Sequence, residues 1–141
     1  MAFIFWTDEY SSKFEEVDNQ HKFLIQIIDD LYLAFQKGEQ KIIQSDLLFR
    51  LINYVHYHFA YEEGLMMQYK YHELDKHKIE HQRLTLKVLD YYKDVKIKDK
   101  DISLELLNFL KDWLSDHILK TDKEMGAWLS EQPQFVTNKM P

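Results

Sequence analysis

The stretch HKIEH, residues 77–81, has two interpretations, and they predict very different folds. As H-x-x-E-H it matches the helical zinc signature of the inverzincin peptidases, in which two histidines hold the metal and Glu80 would be the base. As H-x-x-x-H it is only a pair of imidazoles one helical turn apart, and further ligands must come from other parts of the chain. The sequence around His77 and His81 decides between these interpretations.

The composition predicts an all-α fold. The chain has 141 residues, with 3 glycines, 2 prolines and no cysteine. So few turn-forming residues favour a few long helices over many short strands. A chain of this length is most simply a single domain, covering residues 1–141, and can bury a core without disulfides. Because cysteine is absent, a bound metal would have to be held by nitrogen and oxygen atoms.

The charge and hydropathy patterns exclude two classes of partner. The formal net charge is -6, and the basic residues are scattered among acidic ones. No basic surface is therefore predicted, and we expect no nucleic-acid partner. The apolar start MAFIFW soon reaches acidic residues, and no later apolar run approaches about 18 residues. We expect a cytoplasmic protein with no membrane partner.

Apolar residues recur at three- and four-residue steps in four segments, which predicts four amphipathic helices. The segments are about residues 18–38, 41–67, 74–93 and 102–128. The linkers between them, 38–40, 68–73 and 94–101, are too short to cross the length of a bundle. The prediction is an up-down-up-down four-helix bundle over about residues 18–130. An N-terminal extended segment, residues 1–17, precedes it, and a short C-terminal tail, residues 131–141, follows.

Polar residues occupy positions that this periodicity assigns to the core. A buried imidazole needs hydrogen-bond partners, and an unpaired buried carboxylate costs several kcal/mol. His58 and Glu62 are four residues apart, as are His77 and His81, so each pair projects from one helix face. A five-residue spacing, such as that of the HILKTD stretch 117–122, points its end residues about 140° apart on an ideal α-helix. We therefore expect either a π-type turn there or a carboxylate that reaches back across the face.

The core-facing set contains five histidines and two carboxylates from all four helices. That is too many ligands for one four-coordinate zinc ion, but it suits two metals that share bridging carboxylates. The candidate metal ligands are His21, His58, Glu62, His77, His81, His117 and Asp122. His56 and His72 are left out, because one points to another helix face and the other lies in a linker.

The peptidase interpretation of HKIEH is less favourable. If His77 and His81 face the core, Glu80 lies about 100° from His81 around the helix and is predicted to be a solvated surface charge. A ferritin-like di-iron enzyme is also disfavoured, because its sites use a Glu-x-x-His spacing that the core-facing set lacks.

Three runs of the sequence resemble the bacterial hemerythrins, over about residues 6–125. They are WTDEYSSKFEEVDNQHKFL, HFAYEEGLMMQYKYHELDKHKIEH and FLKDWLSDHILKTD. They contain, in order, one histidine, H-x-x-x-E, H-x-x-x-H and H-x-x-x-x-D. The resemblance implies that one iron has three histidine ligands and the other has two, with both carboxylates and an oxo or hydroxo group as bridges. The three are His77, His81 and His117; the two are His21 and His58; the bridging carboxylates are Glu62 and Asp122.

The resemblance also implies reversible dioxygen binding at the iron with two histidines, for oxygen carriage, storage or delivery rather than catalysis. An apolar oxygen pocket is implied, lined by Phe59, Trp113, Leu114 and Ile118. Two alternatives remain open: an oxygen or redox sensor that acts through a partner, and a di-iron enzyme that reduces peroxide or nitric oxide. Dioxygen is the implied ligand, and the sequence identifies no protein partner.

Overall fold

A computed structural model describes residues 3, 4, 6–38, 40–101 and 103–132, and within these residues the chain forms helices and no strand. A 3₁₀ turn, Asp8–Tyr10, precedes the bundle. The elements that follow are α1 (Glu15–Gln36), α2 (Gln40–Gln68), α3 (Leu74–Ile97), α4 (Leu104–Asp116), a π turn (His117–Asp122) and α5 (Lys123–Ser130). The last three are continuous, so four helical rods form the bundle. The predicted all-α four-helix bundle is confirmed.

Two helices are longer than the sequence pattern predicted. α1 begins at Glu15 rather than near residue 18, because the fully buried Val17 continues its apolar stripe. α3 runs to Ile97 rather than ending near residue 93, because Val95 is also buried and extends the stripe by another turn. The third linker therefore begins later than predicted. Of the charged residues that suggested a linker, Asp94 is half-buried and Lys96 exposed on α3, and residues 98–101 follow the helix.

Local chemistry sets other helix ends. After α1, Gly38 adopts a φ of 71°, a left-handed conformation that commonly ends a helix and that glycine adopts without strain. At the start of α4, the Ser103 hydroxyl oxygen accepts the Leu106 backbone N–H at 3.2 Å, which is a typical N-cap.

The segment before α1 is held against the bundle by two aspartates of α1. Asp29 Oδ1 accepts the backbone N–H groups of Phe3 at 2.9 Å and Ile4 at 3.0 Å. Asp18 accepts hydrogen bonds from the Ser11 hydroxyl at 2.7 Å and from the Ser12 backbone N–H at 2.7 Å. Ile4 is buried in the main core. This segment therefore contributes to the core rather than only preceding it.

Two apolar clusters lie on opposite sides of the polar layer. The main cluster includes residues one turn from the predicted ligands, namely Leu24, Val55, Leu84 and Leu114. They are three residues after His21 and His81, and three before His58 and His117. Because neighbouring helices run in opposite directions, these offsets point to the same side of the layer. The second cluster, Met66, Tyr71, Met125 and Leu129, covers the other side, and Trp128 packs against it.

The chain past α5 lies largely outside the described residues. α5 ends at Ser130, and the predicted C-terminal tail continues into residues 133–141, which are not described. Among the described helices, none combines the length and apolar character that crossing a membrane requires.

Candidate metal centre

The polar layer begins with two helical pairs on α2 and α3. His58 and Glu62 lie one turn apart on α2, and His77 and His81 lie one turn apart on α3. All four side chains are buried, with relative exposures of 0–2%. The four-residue spacings thus project both pairs into the bundle, as predicted.

The fourth rod departs from α-helical geometry where its spacing requires it. Residues His117–Asp122 form a π turn between α4 and α5. The wider turn brings the two end residues, five apart in sequence, onto the same face, and both are buried. Of the two expectations for this spacing, the π-type turn is the one that the structure adopts. Such single turns inside α-helices are frequent at functional sites.

The donor atoms of all seven predicted ligands converge. They form two groups, and within each group the atoms lie within 4.8 Å of one another. One group has three histidines and the other has two, and both groups contain the same two carboxylates. The first is Glu62, His77, His81, His117 and Asp122; the second is His21, His58, Glu62 and Asp122. The structure therefore contains the shared-carboxylate arrangement that the sequence spacing predicted.

Each carboxylate directs one oxygen to each group. Glu62 Oε1 lies 3.1 Å from His81 Nε2, whereas Glu62 Oε2 lies 3.2 Å from His58 Nε2. Asp122 Oδ1 lies 2.8 Å from His77 Nε2, whereas Asp122 Oδ2 lies 2.8 Å from the Nε2 of His21. A carboxylate placed in this way can bridge two cations.

Three histidines make hydrogen bonds on the side of the ring that faces away from the centre. The Nδ1–H of His81 donates to Glu63 Oε2 at 2.8 Å, and that of His117 donates to Glu80 Oε2 at 2.9 Å. A proton on Nδ1 leaves the Nε2 lone pair directed at the centre. The prediction that Glu80 is a solvated surface charge is therefore wrong. Glu80 is about one third exposed and supports a predicted ligand from outside, as second-sphere groups of metal sites do.

The third outward hydrogen bond goes to a neutral amide. The Nδ1–H of His58 donates to Gln20 Oε1 at 2.7 Å, and Gln20 Nε2 in turn donates to Glu16 at 3.0 Å. Gln20, Glu63 and Glu80 were not identified as site residues from the sequence. Their contacts join different helices, and the apolar periodicity does not fix how those helices are rotated against one another. No motif marks Gln20 or Glu63, and the H-x-x-E-H motif that contains Glu80 suggested a different role for it.

The electrostatics of the centre show how strongly the buried charges depend on one another. Burial lowers the pKa of His21, but Asp122 and Glu62 outweigh burial and raise it to about 9. The same balance raises the pKa of His77 to about 9. Burial raises the pKa of Glu62, but His58 and the other imidazoles hold it well below its usual value. Without a metal, protons on the histidines are therefore the counter-charges of the carboxylates.

The polar contacts that remain unsatisfied fit bound cations. His81 Nε2 and His117 Nε2 face each other at 3.1 Å, although both rings already donate through Nδ1. Two lone pairs at that distance repel unless a proton or a cation lies between them. The buried atoms His58 Nε2, Glu62 Oε1 and Asp122 Oδ2 also make no well-aligned hydrogen bond among the described residues. Imidazole nitrogens and carboxylate oxygens in this number suit a pair of transition-metal ions.

Two residues of the implied oxygen pocket lie close together, since the Phe59 and Trp113 ring centroids are 5.8 Å apart. Trp113 and Leu114 line a small apolar cavity of about 10 Å³ on the main-core side of the polar layer. Phe59 instead stacks on the His81 ring with a centroid separation of 3.7 Å. Ile118 is buried in the main core and does not line this cavity. The cavity is just large enough for about one water-sized molecule.

Comparisons with known proteins agree with this geometry. The family model described as the Hemerythrin HHE cation binding domain matches residues 12–129. The chain is 32% identical over 131 residues to a bacteriohemerythrin from Methylococcus capsulatus, covering 92% of this chain and 99% of that protein. It is 30% identical over 147 residues to a bacteriohemerythrin from Pseudomonas aeruginosa, covering 92% and 95% respectively. A crystal structure of wild-type hemerythrin is similar with a TM-score of 0.85 and 32% identity, covering 92% of this chain and 99% of that chain.

Proposed function

Since this chain belongs to the hemerythrin family, we propose that it binds dioxygen reversibly at a di-iron centre, for oxygen carriage, storage or delivery. The observation that carries the proposal is the division of seven buried donors into two groups that share both carboxylates. One metal ion would leave several buried donors unsatisfied, whereas two ions use all of them.

The proposed ligand sets follow the two groups. The three-histidine iron would be held by His77, His81 and His117, and the two-histidine iron by His21 and His58. Glu62 and Asp122, with an oxo or hydroxo group, would bridge the pair. When bound, the two irons would supply the electrons for reversible dioxygen binding, and the iron with only two histidines would keep the open position.

The surrounding residues hold this site in place and keep it dry. The Nδ1 hydrogen bonds of His58, His81 and His117 keep their Nε2 lone pairs directed inward. The apolar layer next to Leu114 admits a small apolar molecule more readily than water. Exclusion of water favours release of intact dioxygen over oxidation of the irons.

Spectroscopy with metal analysis tests the proposal. The protein is loaded anaerobically with ferrous iron, analysed for metal, exposed to air and then returned to vacuum. We expect two irons per chain, a charge-transfer absorption that develops in air, and its loss under vacuum. Rapid irreversible conversion to the ferric form would contradict a carrier. Sustained reduction of peroxide or nitric oxide would instead favour an enzyme, and oxygen-dependent capture of a partner would favour a sensor.

A ligand variant tests the residue assignment separately. We expect His117→Ala to lose iron, because the centre loses a donor and its carboxylates lose a counter-charge. The exposed His72, changed to alanine, is the matched control and should keep two irons. Two irons retained in the His117 variant would show that the assignment is wrong.

A further inference from the structure

The two sides of the centre differ in the charge of the groups that support their histidines. Two histidines of the three-histidine group donate Nδ1–H to carboxylates, His81 to Glu63 and His117 to Glu80. In the two-histidine group, His58 donates to the neutral amide oxygen of Gln20. His21 Nδ1 has no hydrogen-bond partner among the described residues. The carboxylates that accept an Nδ1–H thus all belong to the three-histidine group.

The orientation of the Gln20 amide is fixed by its second contact. Its nitrogen donates to Glu16 at 3.0 Å, so its oxygen is the atom that faces His58 at 2.7 Å. Gln20 is buried, with 2% relative exposure. Gln20 therefore separates the Glu16 carboxylate from His58, whereas Glu63 and Glu80 contact their histidines directly.

The charge of the acceptor changes what a histidine gives to a metal. A carboxylate that accepts Nδ1–H shifts electron density onto the imidazole and makes Nε2 a stronger donor than a neutral amide does. A stronger donor stabilises ferric iron more than ferrous iron. Glu63 and Glu80 are 25% and 32% exposed, so solvent weakens their fields but does not remove the hydrogen bonds. Three cationic side chains line the same cleft as Glu80 and weaken its field further. They are Arg83, Lys87 and Lys120.

We propose that Glu63 and Glu80 are positioning residues that make the three-histidine side the stronger donor, and so bias the centre toward holding ferric iron there. Gln20 leaves the two-histidine side, where the proposed open position would be, the weaker donor. This inference rests on the proposed di-iron function. It adds an unequal division of redox character between the two irons, set by three residues outside the ligand set.

Charge-removing variants of near-identical shape provide the test. Glu63→Gln and Glu80→Gln retain an oxygen that accepts Nδ1–H, but they remove the charge. We expect each variant to raise the reduction potential of the di-iron protein. Every tenfold fall in the ratio of ferric to ferrous iron at a fixed potential corresponds to a rise of about 59 mV. We also expect iron retention against a chelator to weaken by about tenfold to a hundredfold. Spectroelectrochemistry gives the potential.

A charge exchange on the other side gives the opposite expectation. The double variant Glu16→Gln, Gln20→Glu keeps the net charge but places the carboxylate against His58. It should lower the potential. If the Glu63 or Glu80 variants lose iron, this double variant still tests whether the charge of the acceptor sets the potential. A potential that is unchanged or higher in the double variant overturns the inference.

Asp116→Asn is the matched control for charge alone. Asp116 lines the same cleft as Glu80, and its variant removes the same charge without removing a carboxylate from a histidine. A potential shift in this control as large as that of Glu80→Gln would overturn the inference. If the unaltered protein itself does not hold two irons, the proposed function fails instead, so the two failures are distinguishable.

Discussion

Gly126 sets how closely α5 approaches the segment before α1. A β-carbon at this position would overlap the backbone carbonyl of Ser12. Asp18 holds the Ser12 backbone N–H, so that backbone cannot easily move away. We expect Gly126→Ala to lower the free energy of unfolding by about 1–3 kcal/mol, measured by urea denaturation. Gly64 on α2 has open space around it, so Gly64→Ala should raise the free energy of unfolding by about 0.5–1 kcal/mol. Equal effects would contradict this role of Gly126.

The proposed function predicts that Leu114 keeps water away from the centre. It is buried, lies one turn before His117 and lines the small apolar cavity. We expect Leu114→Ala to keep two irons, to cost about 2–5 kcal/mol of stability and to speed oxidation of the oxygenated protein, because water enters the enlarged cavity. The absorption decay in air measures this rate.

Leu107→Ala is the control for that experiment. Leu107 is fully buried on the same helix, two turns farther from His117, and does not line the cavity. It should lose similar stability without faster oxidation. The same oxidation rate in both variants would remove Leu114 from the oxygen pocket.

At the residue scale, the sequence identified the inward-facing groups better than the outward-facing ones. The convergence of donors such as His21 and Asp122 follows from polar residues at core positions, where burial makes them conspicuous. Glu80 was predicted to be solvated, because its helix angle alone points it away from His81. Across the bundle, however, it contacts His117 of another helix. Helix angles within one helix cannot show such a contact.

At the scale of the elements, the spacing HILKTD predicted the π turn, but composition misplaced the end of α3. A five-residue spacing between two groups that both must face the core leaves few helical solutions. The charged run 94–101, in contrast, has the composition of a linker, and only the burial of Val95 indicates that the helix continues into it as far as Ile97.

Two backbone hydrogen bonds near its start help to dock the N-terminal segment on α1. Asp29 accepts two backbone N–H groups there, which hold Ile4 in the core. We expect Asp29→Ala to lower the free energy of unfolding by about 1–3 kcal/mol, because buried donors lose their acceptor, and to speed proteolysis near residue 4. Asp30→Ala is the control. Asp30 accepts from Gln26 on the helix surface, and its loss should cost less than about 0.5 kcal/mol. Equal proteolysis of both variants would contradict this role of Asp29.

At the scale of the whole molecule, a layer of buried charge lies between two apolar clusters. Glu62 and Asp122 are both fully buried, which is unfavourable unless opposite charge is always present. Two divalent ions would supply it when the protein is loaded. In the metal-free protein, the protonated histidines are the substitutes, so its stability should depend on pH in a way that the loaded protein does not share.

We expect the metal-free protein to become less stable as the pH rises from about 6.5 to about 9. The pKa values of His21 and His77 are raised from 6.5 to about 9, so their contribution is complete below pH 6.5 and is lost as the pH rises through about 9. Each protonated histidine contributes at most on the order of 3 kcal/mol to the free energy of unfolding. The two contributions are not additive, because both histidines interact with the same carboxylates. The lowered pKa values of Glu62 and Asp122 have the opposite sign: their contribution is present above the ordinary carboxyl range and is lost on acidification. The metal-free protein should therefore be most stable between about pH 4.5 and 6.5.

Urea denaturation of the metal-free protein across this pH range measures the effect, and the same protein loaded with zinc is the control. Zinc has no redox chemistry, and it accepts the same nitrogen and oxygen donors. Its charge remains beside the carboxylates when the histidines lose their protons, so the loaded protein should keep its stability between pH 6.5 and 9. A metal-free protein that is equally stable at pH 6.5 and pH 9 would show that protons on these histidines are not what balances the buried carboxylates.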